Sequence, residues 1–274
     1  MRKWIKKATV ALAITATSAS LMAAPAEAIV GGRINDTKSL ALLFLGDAQC
    51  SGTVIAPEWV ITAKHCVQEG DSTIIIDKQN YSPTKAIVNP DADMALIKLD
   101  RAAHVTPARL APSHLHPQEK AYAVGWGGGE MTGALMADAT VQRRVNNLPA
   151  PLTGVTVIES QITKGRIERG DSGGPLFDES GDLAGVQSAA AGPGTVAFHV
   201  PVTEYLDWIS KSAGIEVPKA SDEPSEAVDA SKHPTYVPNP QVPAIGSSVI
   251  ESIMNYGLDL RFVPLPTPEV IAGS

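Results

Sequence analysis

Short apolar runs rich in β-branched residues recur along the middle of the chain, separated by Gly, Pro, Asn and Asp. Such runs are typical of strands bounded by turns. Only residues 202–213 have the spacing of an amphipathic helix, which Thr203 is positioned to cap. Its apolar face comprises Val202, Leu206, Trp208 and Ile209. Many short strands closed by one helix predict an all-β sandwich or barrel. The predicted strands are residues 53–62, 73–77, 94–99, 121–125, 154–158, 183–188 and 195–200.

Residues 1–28 have the pattern of a secretory signal peptide. A basic start, MRKWIKK, is followed by an uncharged apolar run from Ala8 to Ala24 and then by small residues spaced as in a cleavage site. The run is short for a membrane span and is diluted by Thr and Ser, so we expect secretion with no transmembrane anchor in the mature chain. Cleavage after Ala28 would make Ile29 the first residue; cleavage after Ala26 is the alternative.

The apolar runs end near residue 214, and the composition then changes. Residues 215–246 alternate prolines with Ser, Glu, Asp and Lys and contain few large apolar side chains, which predicts an extended linker. Residues 247–274 include a short apolar repeat compatible with a helix. The sequence leaves open whether this C-terminal segment docks on the body, contacts the cell envelope or stays disordered.

Charge and cysteine content narrow the classes of function. The chain has 22 Lys and Arg against 29 Asp and Glu, and beyond residue 28 it has no basic run, so its acidic balance argues against nucleic-acid binding. Cys50 and Cys66 are too few for a zinc site, and in an oxidising exterior they favour one disulfide. No motif indicates a metal or an organic cofactor, so neither is expected.

The segment GDSGGP at residues 170–175 raises the question of a nucleophilic serine. Taken alone it is equally typical of a glycine-rich turn. A serine nucleophile also needs an imidazole base, a carboxylate that orients the base, and N–H donors for the oxyanion. Each single candidate has an ordinary structural explanation, and their joint occurrence favours catalysis. The candidates are His65 in TAKHC, Asp91 and Asp93 before an apolar strand, and the N–H groups of Gly170 and Ser172.

Six ordered motifs make residues 29–213 resemble the trypsin-like, chymotrypsin-family serine proteases. They are IVGG, WVITAKHC, DMALIKL, GWG, GDSGGP and YLDWI. The resemblance implies a domain of residues 29–214, with two antiparallel six-stranded β-barrels at about residues 29–110 and 120–200, a cleft between them and a closing helix. It also implies a serine endopeptidase that acts on protein or peptide substrates through an acyl-enzyme.

The resemblance assigns a role to each candidate catalytic residue. Ser172 is the nucleophile, His65 is the general base, and Asp93, which directly precedes the apolar strand, orients the imidazole. The backbone N–H groups of Gly170 and Ser172 form the oxyanion hole. The separation of Cys50 from Cys66 matches the family's disulfide at the histidine loop.

The resemblance also implies an activation ion pair. The buried carboxylate of Asp171 would receive the α-ammonium of Ile29 and so shape the oxyanion loop. The basic residue that usually precedes IVGG is missing, because Ala28 stands there. Signal-peptidase cleavage after Ala28 would therefore release the active terminus with no separate activation peptide.

The expected substrate pocket departs from the family. Arg166 stands at the pocket floor, where trypsins have Asp, so cleavage after Lys or Arg is disfavoured. The sequence leaves open whether Arg166 favours acidic substrates or points away from a small apolar pocket. Ser188 and Ala190 would present backbone to the substrate. Lys64 replaces the small residue that usually precedes the histidine, and the sequence gives no reason for it.

Two other classes of function stay open. One is a protease-like binding module that has lost catalysis, and the other is a surface protein whose function lies in its C-terminal tail. The presence of all three triad residues favours an enzyme over both.

Overall fold

The computed structural model describes residues 29, 31–127, 133–150 and 152–234. The predicted signal peptide, the end of the predicted linker and residues 247–274 lie outside the described residues. Within those ranges the chain forms two barrel-like sheets and one α-helix, preceded by a short strand, β1 (Arg33–Ile34). The predicted all-β, two-barrel fold with a closing helix is confirmed.

The first sheet contains β2 (Leu40–Leu45), β3 (Ala48–Ala56), β4 (Trp59–Thr62), β5 (Ser72–Ile76), β6 (Gln79–Tyr81), β7 (Pro83–Val88) and β8 (Ala95–Leu99). Their order is β6–β5–β2–β3–β4–β8–β7. The predicted strand 53–62 is two strands, because Pro57 and Glu58 turn the chain between β3 and β4. The sheet has seven strands instead of six, because Asp77 and Lys78 adopt positive φ in a two-residue hairpin that separates β5 from β6.

The second sheet contains β9 (Lys120–Gly125), β10 (Leu135–Asn146), β11 (Val157–Lys164), β12 (Pro175–Phe177), β13 (Leu183–Ala191) and β14 (Val196–Pro201). The order β10–β11–β14–β13–β12–β9 closes on itself, because β9 also pairs with β10. This is a complete six-stranded barrel. Strand β1 also pairs with β10, so the start of the predicted first barrel in fact belongs to the second.

The closing helix, α1 (Leu206–Ala213), follows a 3₁₀ turn at Thr203–Tyr205 and buries Leu206 and Ile209. The predicted helix cap is wrong: the Thr203 hydroxyl donates to the carbonyl oxygens of Ala111 and Ser113 in the connector between the barrels. Tertiary contacts thus outcompete the local capping interaction. No helix in the described part of the chain is long and apolar enough to cross a membrane.

Residues 215–234 lie on the second barrel, although the sequence predicts a linker there; we call this segment the strap. Within it, β15 (Val228–Asp229) pairs in parallel with the end of β10, and Ala230 is buried. Asp222 lies 3.0 Å from His114 Nδ1 and 2.7 Å from His116 Nε2. Backbone pairing and polar anchors therefore hold a segment whose composition is poor in large apolar residues.

Candidate active site

Contacts between the two barrels converge on Ser51, a buried residue of β3. Its N–H donates to the carbonyl oxygen of Ser172 at 2.8 Å, and its hydroxyl donates to the carbonyl oxygen of Gly170 at 2.8 Å. The Ser51 hydroxyl also accepts the N–H of Trp126. The first barrel thus fixes both GDSGGP and the neighbouring loop of the second barrel.

The glycines of GDSGGP are required by this close approach. Gly173 has φ of +78°, and a Cβ on it would lie 2.0 Å from Thr62 Oγ1. Gly170 has φ of +100°, and its Cβ would lie 2.9 Å from the Cα of Gly127. Only glycine combines a positive φ with the absence of a Cβ, so the backbone of this turn is constrained. The same turn carries the half-buried Ser172.

His65 and Asp93 are joined by two contacts. The imidazole Nδ1 lies 2.7 Å from Asp93 Oδ2, and the backbone N–H of His65 donates to Asp93 Oδ1 at 2.9 Å. Both carboxylate oxygens are therefore engaged by one residue, which fixes the ring relative to the carboxylate. Asp91, the other carboxylate considered from the sequence, is exposed.

Asp93 has a second partner, the hydroxyl of the buried Ser188, which makes a third contact by donating to Oδ2. Burial alone would raise the pKa of Asp93. The charge of His65 and the hydrogen bonds from His65 and Ser188 outweigh burial and hold that pKa below its ordinary value. Asp93 is thus kept ionised opposite the imidazole.

His65 lies in a 3₁₀ turn, Lys64–Cys66, that a disulfide between Cys50 and Cys66 ties to β3. The Cys66 Sγ atom lies 3.7 Å from the carbonyl oxygen of Ser172. The turn that carries the imidazole is therefore packed against the segment that carries the serine. Cys50, His65 and Cys66 lie close enough to hold a metal, but the disulfide removes the thiolates that would bind one.

The N–H groups of the Gly170–Gly173 segment divide into two sets. The N–H of Asp171 donates to the carbonyl oxygen of Glu168, and the N–H of Gly173 donates to the carbonyl oxygen of Gln187. Those of Gly170 and Ser172 have no acceptor among the described residues. Two N–H groups two residues apart, beside a half-buried serine, can stabilise an oxyanion.

Asp171 is 1% exposed, and its carboxylate accepts the N–H groups of Gly127 at 2.7 Å and Glu168 at 2.8 Å. Desolvation outweighs these bonds and raises its pKa to about 7. No cationic side chain in the described ranges forms an ion pair with Asp171. The predicted partner of Asp171 is the α-amino group of Ile29, a residue whose side chain is fully buried beside Gly165.

The expected pocket residues occupy different environments. Arg166 is exposed, and its Nε donates to Glu168 Oε1 at 2.6 Å. Ser188 directs its hydroxyl to Asp93 and not to open space. Ala190 is half-buried on β13. Ile167, which follows Arg166, donates its N–H to the carbonyl oxygen of Gly194.

Two contacts at this site could not be predicted from the sequence. Ser188 binds Asp93 from 95 positions away, and Lys64 binds the backbone of Asn89. No local motif signals the first contact. The unusual Lys64 was the one visible sign of the second.

The two-barrel fold is that of the trypsin-like serine proteases. A family model described as Trypsin matches residues 29–209, and the chain belongs to this family. It is accordingly a serine endopeptidase, and its substrates are proteins or peptides.

Relatives and solved structures agree with this membership. The chain is 39% identical to an uncharacterized peptidase of Corynebacterium glutamicum (strain R), over 89% of this chain and 94% of the relative. It is 30% identical to the platelet-aggregating proteinase PA-BJ of Bothrops jararaca, over 66% of this chain and 92% of the relative. Neuropsin, a serine protease of mouse brain, superposes with a TM-score of 0.58 at 22% identity, covering 67% of this chain and 99% of neuropsin. At that identity the likeness concerns the fold alone.

Proposed function

We propose that the chain is a secreted endopeptidase that cleaves peptide bonds with Ser172 as nucleophile, His65 as base and Asp93 as orienting carboxylate. The observation that carries this proposal is the double contact between Asp93 and His65, which lies in a turn that packs against the constrained GDSGGP segment. A protease-like module without catalysis would have no need of an ionised, three-fold bonded Asp93.

In the proposed reaction the neutral His65 ring accepts the Ser172 proton as the serine oxygen attacks the scissile carbonyl carbon. The Nδ1–H, held by Asp93, stabilises the resulting imidazolium. The N–H groups of Gly170 and Ser172 receive the oxyanion. His65 then gives its proton to the leaving amine, and water repeats the sequence on the acyl-enzyme to release the acid.

Secretion belongs to the same proposal. It is supported by the signal-peptide pattern of residues 1–28 and by the disulfide, which persists in oxidising compartments. Residues 247–274, on which the alternative of a tail function depends, lie outside the described residues, whereas the strap binds the protease body itself.

A fluorophosphonate probe tests this proposal, because it reacts with an activated serine. We expect the secreted protein to be labelled at Ser172 and the Ser172→Ala variant to lose labelling and about 10⁶-fold in kcat. Ser180→Ala, which changes an exposed serine, is the matched control. An unlabelled but folded wild-type protein would favour the binding module instead.

A further inference from the structure

Lys64 precedes the imidazole residue in the 3₁₀ turn and is only partly exposed. Its ammonium group reaches across the site and donates a hydrogen bond to the carbonyl oxygen of Asn89 at 3.0 Å. Asn89 is 2% exposed, so this carbonyl has little access to water. A buried carbonyl needs a donor, and the Lys64 ammonium supplies a charged one.

Asn89 in turn organises the loop that carries Asp93. Its side-chain oxygen accepts the N–H groups of Asp91 at 2.8 Å and Ala92 at 3.0 Å. Its own N–H donates to the carbonyl oxygen of Met94 at 2.8 Å. The loop is therefore closed on Asn89 from both sides of Asp93, and a displacement of Asn89 would move the carboxylate.

We propose that Lys64 is a positioning residue that braces the Asp93 loop against the His65 turn. The inference rests on the proposed triad, because the braced pair is its base and its carboxylate. The backbone pairing of β4 with β8 ends at Thr62 and Ala95, and beyond it the bond from Lys64 to Asn89 adds a side-chain link to the His65–Asp93 contacts. It also gives a reason for a long cationic side chain at a position where the family usually has a small one.

The brace acts on geometry and not on the reacting atoms. The Lys64 ammonium bonds to the main-chain oxygen of Asn89 and not to the Ser172 hydroxyl or the Asp93 carboxylate. Catalytic groups must be held to within a fraction of an ångström, and a misplacement of about 1 Å can cost 10²-fold in rate. Loss of the brace should therefore lower kcat and leave KM nearly unchanged.

Three substitutions in the mature, secreted protein separate the ammonium from the rest of the side chain. Lys64→Met keeps the aliphatic stem without the donor, Lys64→Ala introduces the small residue usual in the family, and Lys64→Arg restores a cationic donor. Lys98→Met is the matched control, because Lys98 lies on β8 of the same barrel and pairs with Glu58 away from the site.

We expect kcat to fall about tenfold in the Met and Ala variants, with KM within about twofold and Arg recovering most of the loss. A proton NMR spectrum adds a readout independent of turnover: the low-field resonance of His65 Nδ1–H, identified by its loss in Asp93→Asn. This resonance should shift or broaden in Lys64→Met and stay unchanged in Lys98→Met, because the His–Asp contact is loosened only in the former.

Lys64→Met with wild-type kcat and an unchanged resonance would overturn the brace. Equal losses in Lys64→Met and Lys64→Arg would overturn it as well, since side-chain bulk and not the donor would then matter. Failure of the proposed function is a separate result: wild-type protein would not react with fluorophosphonate, and the NMR comparison would still decide on the brace.

Discussion

The hydroxyl of Ser188 donates to the same Asp93 oxygen that His65 Nδ1 contacts. The sequence suggests that the backbone of Ser188 faces the substrate, and the structure adds a role for its side chain, which supports the carboxylate. The two roles predict different kinetic effects, because a residue that acts on Asp93 changes the transition state and a substrate-binding residue changes KM.

We expect Ser188→Ala to lower kcat about ten- to hundredfold with KM unchanged, since a hydrogen bond to a charged group contributes about 1.5 to 3 kcal/mol. Steady-state kinetics on a peptide substrate measure both constants. Ser180→Ala, at an exposed turn, is the control. A raised KM with unchanged kcat would mean that the Ser188 hydroxyl serves substrate binding and does not act through Asp93.

The sequence predicted those strands whose β-branched residues stand in a compact run, such as β8 and β14. It missed β10, where the buried interior positions include Ala137 and Ala139 and the polar residues Gln142, Arg143 and Arg144 interrupt the apolar pattern. Small interior residues give little hydrophobic signal, although they let the barrel close. The strap was missed for a related reason, since its contacts are made by Asp222 and by backbone pairing.

At the site, the roles that depend on local motifs could be predicted, and those that depend on long-range contacts could not. GDSGGP and TAKHC identify Ser172 and His65 as candidates through turn chemistry and order along the chain. The bonds of Ser188 to Asp93 and of Lys64 to Asn89 arise only when the two barrels and their loops are packed. No periodicity or spacing encodes such pairs.

The pairing of Arg166 with Glu168 favours the second of the two pockets that the sequence left open. Its side chain is exposed and paired with Glu168 at 2.6 Å, which offsets its charge. We therefore expect cleavage after small apolar residues, in preference to Glu, Asp, Lys or Arg. Arg166→Ala should change this preference by less than about threefold, because an exposed, paired charge contributes little.

A peptide library with mass-spectrometric identification of the cleavage sites measures this preference. Lys85→Ala, which alters an exposed strand residue of the first barrel, is the control. Strong cleavage after Glu or Asp that disappears in Arg166→Ala would show that Arg166 faces the substrate.

The strap should stabilise the protease body. A chain ending at Gly214 loses the β15 pairing, the Asp222 contacts and the buried Ala230, whereas a chain ending at Pro234 keeps them all. We expect the shorter chain to melt about 5 °C or more below the longer one, and the longer one to match the full mature protein. Differential scanning calorimetry measures these transitions. Equal melting temperatures for both truncations would show that the strap is a passive linker.

His199 should make the fold acid-sensitive. It is fully buried on β14, neither ring nitrogen has a hydrogen-bond partner in the described structure, and desolvation lowers its pKa to about 3. The unfolded chain takes up a proton below about pH 6.5, and the folded chain does not until far lower pH. Stability is therefore complete above pH 6.5 and falls as the pH decreases toward 3.

We compare the free energies of unfolding of His199→Leu and wild type at two pH values. The difference, variant minus wild type, should be about 2 to 3 kcal/mol more favourable to the variant at pH 4.5 than at pH 7. Denaturant unfolding at the two pH values measures the difference. His104→Gln, at an exposed position of the connector, is the control and should show no such pH-dependent gain. An equal effect of His199→Leu at both pH values would mean that His199 is protonated in the folded state.

Asp171 links maturation to pH. While Ile29 is joined to the preceding residue its nitrogen is an amide, and the buried carboxylate has a pKa raised to about 7 by desolvation. The unfolded chain loses this proton near pH 4, and the folded chain keeps it to about pH 7, so the stability of the N-terminally extended form falls between these values. An α-ammonium at Ile29 would pair with the carboxylate, lower its pKa and remove that fall.

Two forms of the protein, beginning at Ile29 and at Glu27, test this relationship. We expect the Ile29 form to be active with a free energy of unfolding that does not decrease from pH 4.5 to 7.5. The Glu27 form should be weakly active and should lose stability relative to the Ile29 form over that range. Asp171→Asn in the Glu27 form should remove this relative loss, because the amide does not titrate and the effect of His199 is common to all the forms compared. N-terminal sequencing of the secreted protein should accordingly read Ile-Val-Gly-Gly. A fully active Glu27 form whose pH profile matches that of the Ile29 form would show that a group other than the Ile29 terminus stabilises Asp171, and export alone would then not account for activation.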